Sequence, residues 1–216
     1  AGRPFIIEPL GSPRKMRLAK REMSLTTLGQ AVGLACMSLK EEMTGLAKHA
    51  RLASRQLAGM SAADKNRALL AMADAIEDNA SAIQAENAKD MVAGEEMGLS
   101  KALLDRLLLD DARIAGMATG LREVAELPDP VGRVLDERDR PNGLKLSKVA
   151  SPIGVIVIIY ESRPNVTADA AGLCFKSGNV TILRGGKEAI HSNQIIARTM
   201  IDAAVAVDPE FPLNAI

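Results

Sequence analysis

The sequence has few aromatic residues, few cysteines and no excess charge of either sign. Its 216 residues include three Phe, one Tyr, no Trp and two Cys, and 27 basic side chains face 27 acidic ones. The balanced charge argues against nucleic acid as the main partner, because neutralising phosphates requires a net basic face. No apolar run approaches the roughly 18 residues typical of a membrane span, so we expect no membrane association.

Metal and disulfide chemistry also have little support in the sequence. Two cysteines, Cys36 and Cys174, are too few for a disulfide framework. They share no short motif with the two histidines, His49 and His191. We therefore expect no metal site and a reducing, cytoplasmic location.

The amino-terminal segment differs in composition from the rest of the chain. Residues 1–22 carry six basic and two acidic side chains and three prolines. They show no helical or alternating period and lack the apolar region of a secretory signal. We expect residues 1–42 to be a leader, either disordered or non-native, with Met23 or Met43 as a plausible natural start.

Apolar residues recur at helical spacing over residues 43–127, with alanine at many of these positions. The pattern predicts four helices before the first strand. One ends at Gly59, and one long helix begins after an N-cap at Ser61 and extends past Ile83. Two more follow before Pro128, where the helical pattern stops.

After Pro130 the pattern becomes that of an α/β layer. An unbroken β-branched run over 153–160 predicts a strand buried on both faces of a parallel sheet. Strands over 131–135 and 144–149 are expected before it. A helix over 167–176, a strand over 180–183 and a helix over 187–205 then complete a βαβα unit.

A polar loop follows the predicted buried strand, where open α/β sheets bind ligands. The guanidinium of Arg163 suits a carboxylate or phosphate, and the amide of Asn165 can donate to an oxyanion. Thr167 can cap the next helix. In the structural alternative, Arg163 pairs with Glu161 or Asp169, and Asn165 only caps the turn.

The next strand runs into a glycine pair, Gly185 and Gly186, flanked by Arg184 and Lys187. Paired glycines let the backbone approach a ligand closely, and the two cations suit a nucleotide phosphate. The alternative is an ordinary strand-to-helix turn. Neither the G-x-G-x-x-G nor the Walker A pattern is present.

The remaining candidate side chains favour structural roles. Cys174 lies among apolar neighbours, which is typical of a small core residue rather than a nucleophile. His191 lies one helical turn after the glycine pair, and we interpret it as a surface histidine rather than a catalytic base.

Together, five segments of this chain resemble glutamate-5-semialdehyde dehydrogenases, also called γ-glutamyl phosphate reductases, a branch of the aldehyde dehydrogenase superfamily. The match begins at residue 43. The segments are Asp129-Pro130-Val131-Gly132, Pro152-Ile153-Gly154-Val155, Tyr160-Glu161-Ser162-Arg163-Pro164-Asn165-Val166-Thr167, Lys176-Ser177-Gly178-Asn179 and Leu183-Arg184-Gly185-Gly186-Lys187-Glu188.

The resemblance implies an oxidoreductase of proline biosynthesis. In this family NADPH reduces γ-glutamyl phosphate to glutamate 5-semialdehyde with loss of phosphate, through a thioester on a cysteine elsewhere in the protein. By the same resemblance, Arg163 and Asn165 bind the substrate, and Asn165 has the catalytic role of stabilising the oxyanion. The positions that relatives use for the adenosine ribose and its phosphate correspond to Arg184, Gly185, Gly186 and Lys187.

The resemblance also implies the fold and the partners. We expect an aldehyde dehydrogenase-like α/β fold, with amino-terminal helices followed by part of a parallel Rossmann-like cofactor-binding sheet. Residues 43–216 would form an incomplete cofactor-binding domain without the catalytic domain. The full-length form is expected to be a homo-oligomer, with channelling from glutamate 5-kinase.

Family members are about twice as long as the matching region, so we expect this chain to be an inactive fragment of the reductase. Two other interpretations stay open. The chain can be the reductase part of a fused pyrroline-5-carboxylate synthetase, or a non-catalytic binding module that retains half of the fold.

Overall fold

The computed structural model describes residues 38–216, where the chain forms seven α-helices, one 3₁₀ turn and four strands. The prediction of a leader over residues 1–42 falls almost entirely outside the described residues. In chain order the elements are α1 (Leu39–Leu57), α2 (Ala62–Asp78), α3 (Ala80–Glu96), α4 (Lys101–Leu107), α5 (Asp111–Glu126), β1 (Val134–Asp139), β2 (Lys145–Val149), β3 (Val155–Ile159), α6 (Asn165–Lys176), β4 (Val180–Arg184), the 3₁₀ turn (Lys187–Ala189) and α7 (Ile190–Val207).

Side-chain caps fix the starts of the first two helices. The Ser38 hydroxyl accepts a hydrogen bond from the Glu41 amide at 3.3 Å, and the Glu41 carboxylate accepts one from the Ser38 amide at 2.8 Å. This capping box starts α1 four residues before Met43. The predicted N-cap Ser61 is confirmed, since its hydroxyl accepts from the Asp64 amide at 3.1 Å.

The prediction of four helices before the first strand is wrong, because the long second helix is two helices. Within residues 38–216, five helices precede β1. The break lies at Asn79, whose side-chain amide donates to the Ala75 carbonyl at 2.7 Å. Asparagine side chains compete in this way for helical carbonyls, and the helical apolar spacing continues unchanged across such a break.

The predicted parallel unit is confirmed. Strands β3 and β4 pair in parallel, from Val155 opposite Val180 to Ile159 opposite Arg184, and α6 connects them. Strands β1 and β2 form a separate antiparallel hairpin. The predicted final helix begins as the 3₁₀ turn and becomes α-helical only at Ile190.

The expectation that the β-branched run is buried on both faces is wrong for the described residues. Ile153, Val157 and Ile159 are 83%, 59% and 77% exposed. Val157 and Ile159 alternate along β3, so they lie on one face of the sheet, whereas Ile153 precedes the strand. Among the described elements, β3 packs mainly against β4 and touches α1 only slightly, and the face of Val157 and Ile159 stays open.

Helix α2 is the centre of the apolar core. It packs against α5, α6 and α7, and residues such as Leu69, Met72 and Ile76 are fully buried between them. Phe175 from α6 reaches the same core and packs against Phe211, with the ring centroids 5.5 Å apart. The helices and the α/β layer therefore share one core.

Two buried lysines and one aspartate also join the helices to the α/β layer. Lys65 of α2 is 1% exposed and pairs with the carboxylate of Asp129. Its ammonium also donates to the Lys176 carbonyl at 3.2 Å. The Lys176 ammonium donates to the Asn66 side chain at 2.5 Å and to the Ala125 carbonyl at 2.8 Å.

The charges of this cluster act on one another. Burial lowers the pKa of Lys176, an effect that Asp129 opposes and Lys65 reinforces. Burial alone would raise the pKa of Asp129, but the ammonium of Lys65 and the Val131 amide lower it below its ordinary value. The negative charge of Asp129 therefore offsets part of the cost of burying the ammonium groups of Lys65 and Lys176.

We predict that Asp129→Asn lowers the free energy of unfolding by about 3 kcal/mol, since it leaves Lys65 buried without a counter-charge. Urea unfolding of the 216-residue chain measures this loss. Asp74→Asn is the control, because Asp74 is an exposed partner of Arg122, which also pairs with Glu77. The control should lose less than about 1 kcal/mol. An equal loss in both variants would contradict the role of Asp129.

Candidate functional site

The two predicted site segments lie side by side at one edge of the sheet. Parallel strands end at the same edge, and the last pair in the register joins Ile159 to Arg184. The backbone amide of Tyr160 donates to the Arg184 carbonyl at 3.1 Å, which extends the pairing by one residue. The polar loop after β3 and the glycine turn after β4 therefore face the same space.

The first loop presents Arg163 toward solvent. Arg163 is exposed, and within residues 38–216 it forms no ion pair with Glu161 or Asp169. The side-chain amide of Asn165 donates to the Asp169 carboxylate at 3.2 Å, one helical turn away. Because an amide has two N–H groups, one remains for a ligand. Arg163 therefore lacks the ion pair of the structural alternative, and the Asn165 side chain contacts Asp169 instead of capping the turn.

Thr167 does not cap α6, so this expectation is wrong. Helix α6 begins at Asn165 after Pro164 and has no side-chain cap. Thr167 is 1% exposed, and its hydroxyl donates to the Asn193 side chain at 3.0 Å. Since a hydroxyl has one proton, the Tyr160 hydroxyl must donate to Thr167, at 2.7 Å. Burial raises the pKa of Tyr160, which keeps it a donor.

A second contact joins the two segments through Ser162 and Glu188. One carboxylate oxygen of Glu188 accepts from the Ser162 amide at 2.9 Å and from its hydroxyl at 2.7 Å. Burial alone would raise the pKa of Glu188, but these hydrogen bonds and Lys187 lower it below its ordinary value. Ser162 has a φ of 42°. It is the one non-glycine residue with positive φ among the described residues.

The glycine turn carries two exposed cations. Arg184 and Lys187 both face solvent, and the Arg184 guanidinium donates to the Gly185 carbonyl. The amino-terminal turn of the following helix, α7, is already capped by a side chain of this chain. The Asp90 carboxylate, 1% exposed on α3, accepts from the Ser192 amide at 2.7 Å and from its hydroxyl at 2.6 Å. A ligand phosphate at this edge would therefore meet the two cations rather than the first turn of α7.

The structure places the remaining candidates outside the site. Cys174 is a buried free thiol on α6, and burial raises its pKa. His191 is exposed, as interpreted from the sequence, with Nδ1 3.7 Å from the Glu86 carboxylate. Cys36 lies outside the described residues.

The sequence did not lead us to predict three side chains of this edge: Ser162, Glu188 and Asn193. Ser162 and Glu188 both belong to the segments that carry the family resemblance, which was a usable signal. Asn193 lies eight residues after Gly185 and had no such signal. Their contacts join positions 26 residues apart in sequence, so no local pattern indicates them.

Residues 38–216 contain no group of three or more His, Cys, Asp or Glu side chains placed to hold a metal ion. In the same range no helix combines the length and apolarity needed to cross a membrane.

Comparison with curated proteins shows strong similarity over most of the chain. A protein named γ-glutamyl phosphate reductase from Moorella thermoacetica is 58% identical over 170 residues, which is 79% of this chain and 41% of that protein. This chain therefore spans about two fifths of the curated relatives that it matches. No protein-family model matches the chain.

Solved structures show the same similarity over most of the chain. The γ-glutamyl phosphate reductase of Thermotoga maritima superposes with a TM-score of 0.77 at 38% identity, covering 81% of this chain and 42% of that one. An acetylating aldehyde dehydrogenase from Geobacillus thermoglucosidasius has a TM-score of 0.59 at 18% identity, covering 80% and 35%. The resemblance seen in the sequence and the aldehyde dehydrogenase-like α/β fold are both confirmed.

We predict that Cys174 alkylates slowly. Its thiol is buried, and burial raises its pKa, which lowers the fraction present as the reactive thiolate. In a Cys36→Ser variant, iodoacetamide at pH 8 should modify Cys174 at least ~100-fold more slowly than a cysteine in a short peptide. Urea should remove the difference. A rate within tenfold of the peptide in the folded chain would contradict this prediction.

Proposed function

Because this chain is related over four fifths of its length to γ-glutamyl phosphate reductases, we propose that it supplies part of such an enzyme. The reaction is the NADPH-dependent reduction of γ-glutamyl phosphate to glutamate 5-semialdehyde and phosphate, in proline biosynthesis. The 58% identity with the Moorella thermoacetica relative carries this proposal. The convergence of two polar segments at one sheet edge supports it.

We propose Arg163 and Asn165 as the substrate-binding pair. The exposed guanidinium of Arg163 offers a planar set of donors that matches the phosphate of an acyl phosphate. The second N–H of the Asn165 amide can donate to the carbonyl oxygen as it gains negative charge during acyl transfer. Because Asn165 is also bonded to Asp169, its amide is already oriented in the free chain.

The cofactor would be held at the glycine turn by Arg184 and Lys187, with Gly185 and Gly186 between them. When bound, NADPH supplies the hydride for the reduction. Two exposed cations suit the 2′-phosphate that distinguishes NADPH from NADH. The Asp90 carboxylate at the start of α7 does not suit a phosphate there, so side chains rather than the helix would bind that group.

Neither cysteine of this chain is proposed as the nucleophile. Attack on an acyl phosphate needs an accessible thiolate beside its oxyanion donors. Cys174 is buried and its pKa is raised, which disfavours the thiolate. We therefore propose that these 216 residues alone give no turnover.

We propose further that the full-length enzyme is a cytoplasmic homo-oligomer that receives its substrate from glutamate 5-kinase. The hairpin β1–β2 supports self-association, since Val134, Leu135, Leu144 and Leu146 on it are 41–53% exposed. Exposed apolar groups of this kind favour contact with another protein surface. An acyl phosphate is labile in water, which favours direct transfer from the kinase.

We predict that Arg163→Ala lowers kcat/KM for the substrate about 10- to 150-fold, since losing a charge-assisted hydrogen bond costs about 1.5–3 kcal/mol. The variant is tested in a chimaera in which this chain replaces the matching segment of the Moorella thermoacetica relative. The assay is phosphate-dependent reduction of NADP by glutamate 5-semialdehyde.

Arg106→Ala is the matched control, because Arg106 is an exposed arginine on α4, away from the sheet edge. It should change kcat/KM less than twofold. A loss below about threefold in Arg163→Ala would remove Arg163 from the substrate site. An inactive wild-type chimaera would count against the proposed function itself.

We predict that Arg184→Ala weakens the preference for the phosphorylated cofactor. It should lower kcat/KM for NADP about tenfold or more while changing that for NAD less than threefold, since only NADP carries the 2′-phosphate. The same chimaera, assayed with both cofactors, measures the ratio. An unchanged ratio would show that Arg184 does not contact this phosphate.

A further inference from the structure

The glycine pair after β4 is not required by the backbone conformation. Gly186 has φ −64° and ψ 153°, which any residue adopts. Gly185 is not among the described glycines with positive φ. Glycine at both positions is therefore explained by a lack of room for a Cβ atom.

Two other side chains of this chain occupy the positions that these Cβ atoms would need. A Cβ atom added to Gly186 would overlap the carboxylate of Glu188. A Cβ atom added to Gly185 would overlap the side-chain amide of Asn193 and lie 3.2 Å from the ring of Tyr160. Each glycine thus makes room for one polar side chain.

Both of these side chains hold the loop after β3. Glu188 accepts two hydrogen bonds from Ser162, at 2.9 and 2.7 Å. Asn193 accepts from Thr167, which in turn accepts from Tyr160. The contacts lie on either side of Arg163, so they fix both ends of the short stretch that carries it.

Ser162 is the residue of this loop whose backbone conformation depends most on these contacts, which we call the bracing of the loop. Its φ of 42° lies in the left-handed region, which disfavours any residue with a Cβ atom. Such a conformation persists only where surrounding contacts impose it. Ser162 is 7% exposed, and its amide and hydroxyl both donate to Glu188.

We propose that Glu188 is a positioning residue that holds the β3–α6 loop in place, and that Gly186 is glycine to admit its carboxylate. Asn193 and Gly185 form a second, matching pair. Only the statement that the loop presents Arg163 to a substrate rests on the proposed function. The bracing itself is a property of the free chain.

The test is a double-mutant cycle on the 216-residue chain, read by hydrogen exchange of the Ser162 amide in NMR. Glu188→Ala should speed exchange at least ~10-fold, because the amide loses its acceptor. Gly186→Ala should give a similar increase, because its methyl displaces the carboxylate. The double variant should exchange no faster than either single variant, within twofold, because both remove the same contact.

Two further variants separate bracing from general damage. Glu188→Gln keeps an oxygen acceptor of the same reach, so it should restore Ser162 protection to within about threefold of wild type. Gly116→Ala is the control, because nothing lies within 4 Å of the position of its Cβ on α5. It should leave Ser162 exchange unchanged.

Other results overturn the proposal. An unprotected Ser162 amide in the wild-type chain, no change in Glu188→Ala, or a further acceleration when Gly186→Ala is added to Glu188→Ala would each do so. None of these readouts uses catalysis, so a failure of the bracing and a failure of the proposed function are separate results.

Discussion

The parallel pairing of β3 with β4 determines what the rest of this chain can do. Because the register sets Ile159 opposite Arg184, the segments that follow the two strands start at the same level of the sheet. Contacts across that edge, such as those of Glu188 with Ser162, are possible only in this register. A slip of one residue would turn every side chain of a strand to the other face.

The features predicted correctly from the sequence are those encoded locally. The N-cap at Ser61 and the βαβα order need only neighbouring residues to be recognised. The break at Asn79 was missed because its local hydrogen bond to the Ala75 carbonyl leaves the apolar spacing unchanged. The role of Thr167 was missed because its partner, Asn193, lies 26 residues away in the sequence. The positive φ of Ser162 has no sequence signature, since it is imposed by Glu188 from another segment.

Several residues in the segments that carry the family resemblance serve the fold rather than a ligand. Asp129 and Lys176 belong to the buried charge cluster with Lys65. Gly178, with φ 75°, follows α6 in the left-handed conformation and leaves no room for a Cβ beside Pro152. A family motif thus mixes residues that hold the sheet edge in place with the few that face solvent there.

The capping of α7 by Asp90 has a consequence for how the chain unfolds. This carboxylate, like the Lys65 ammonium, bonds across the boundary between the helices and the α/β layer and is itself 1% exposed. Separating the two parts would break these buried hydrogen bonds and expose to water the apolar core that the two parts share, which is costly. Helices α2 and α3 and the layer around β4 therefore form a single cooperative unit, in which a partly unfolded intermediate has no low-energy boundary along which to divide.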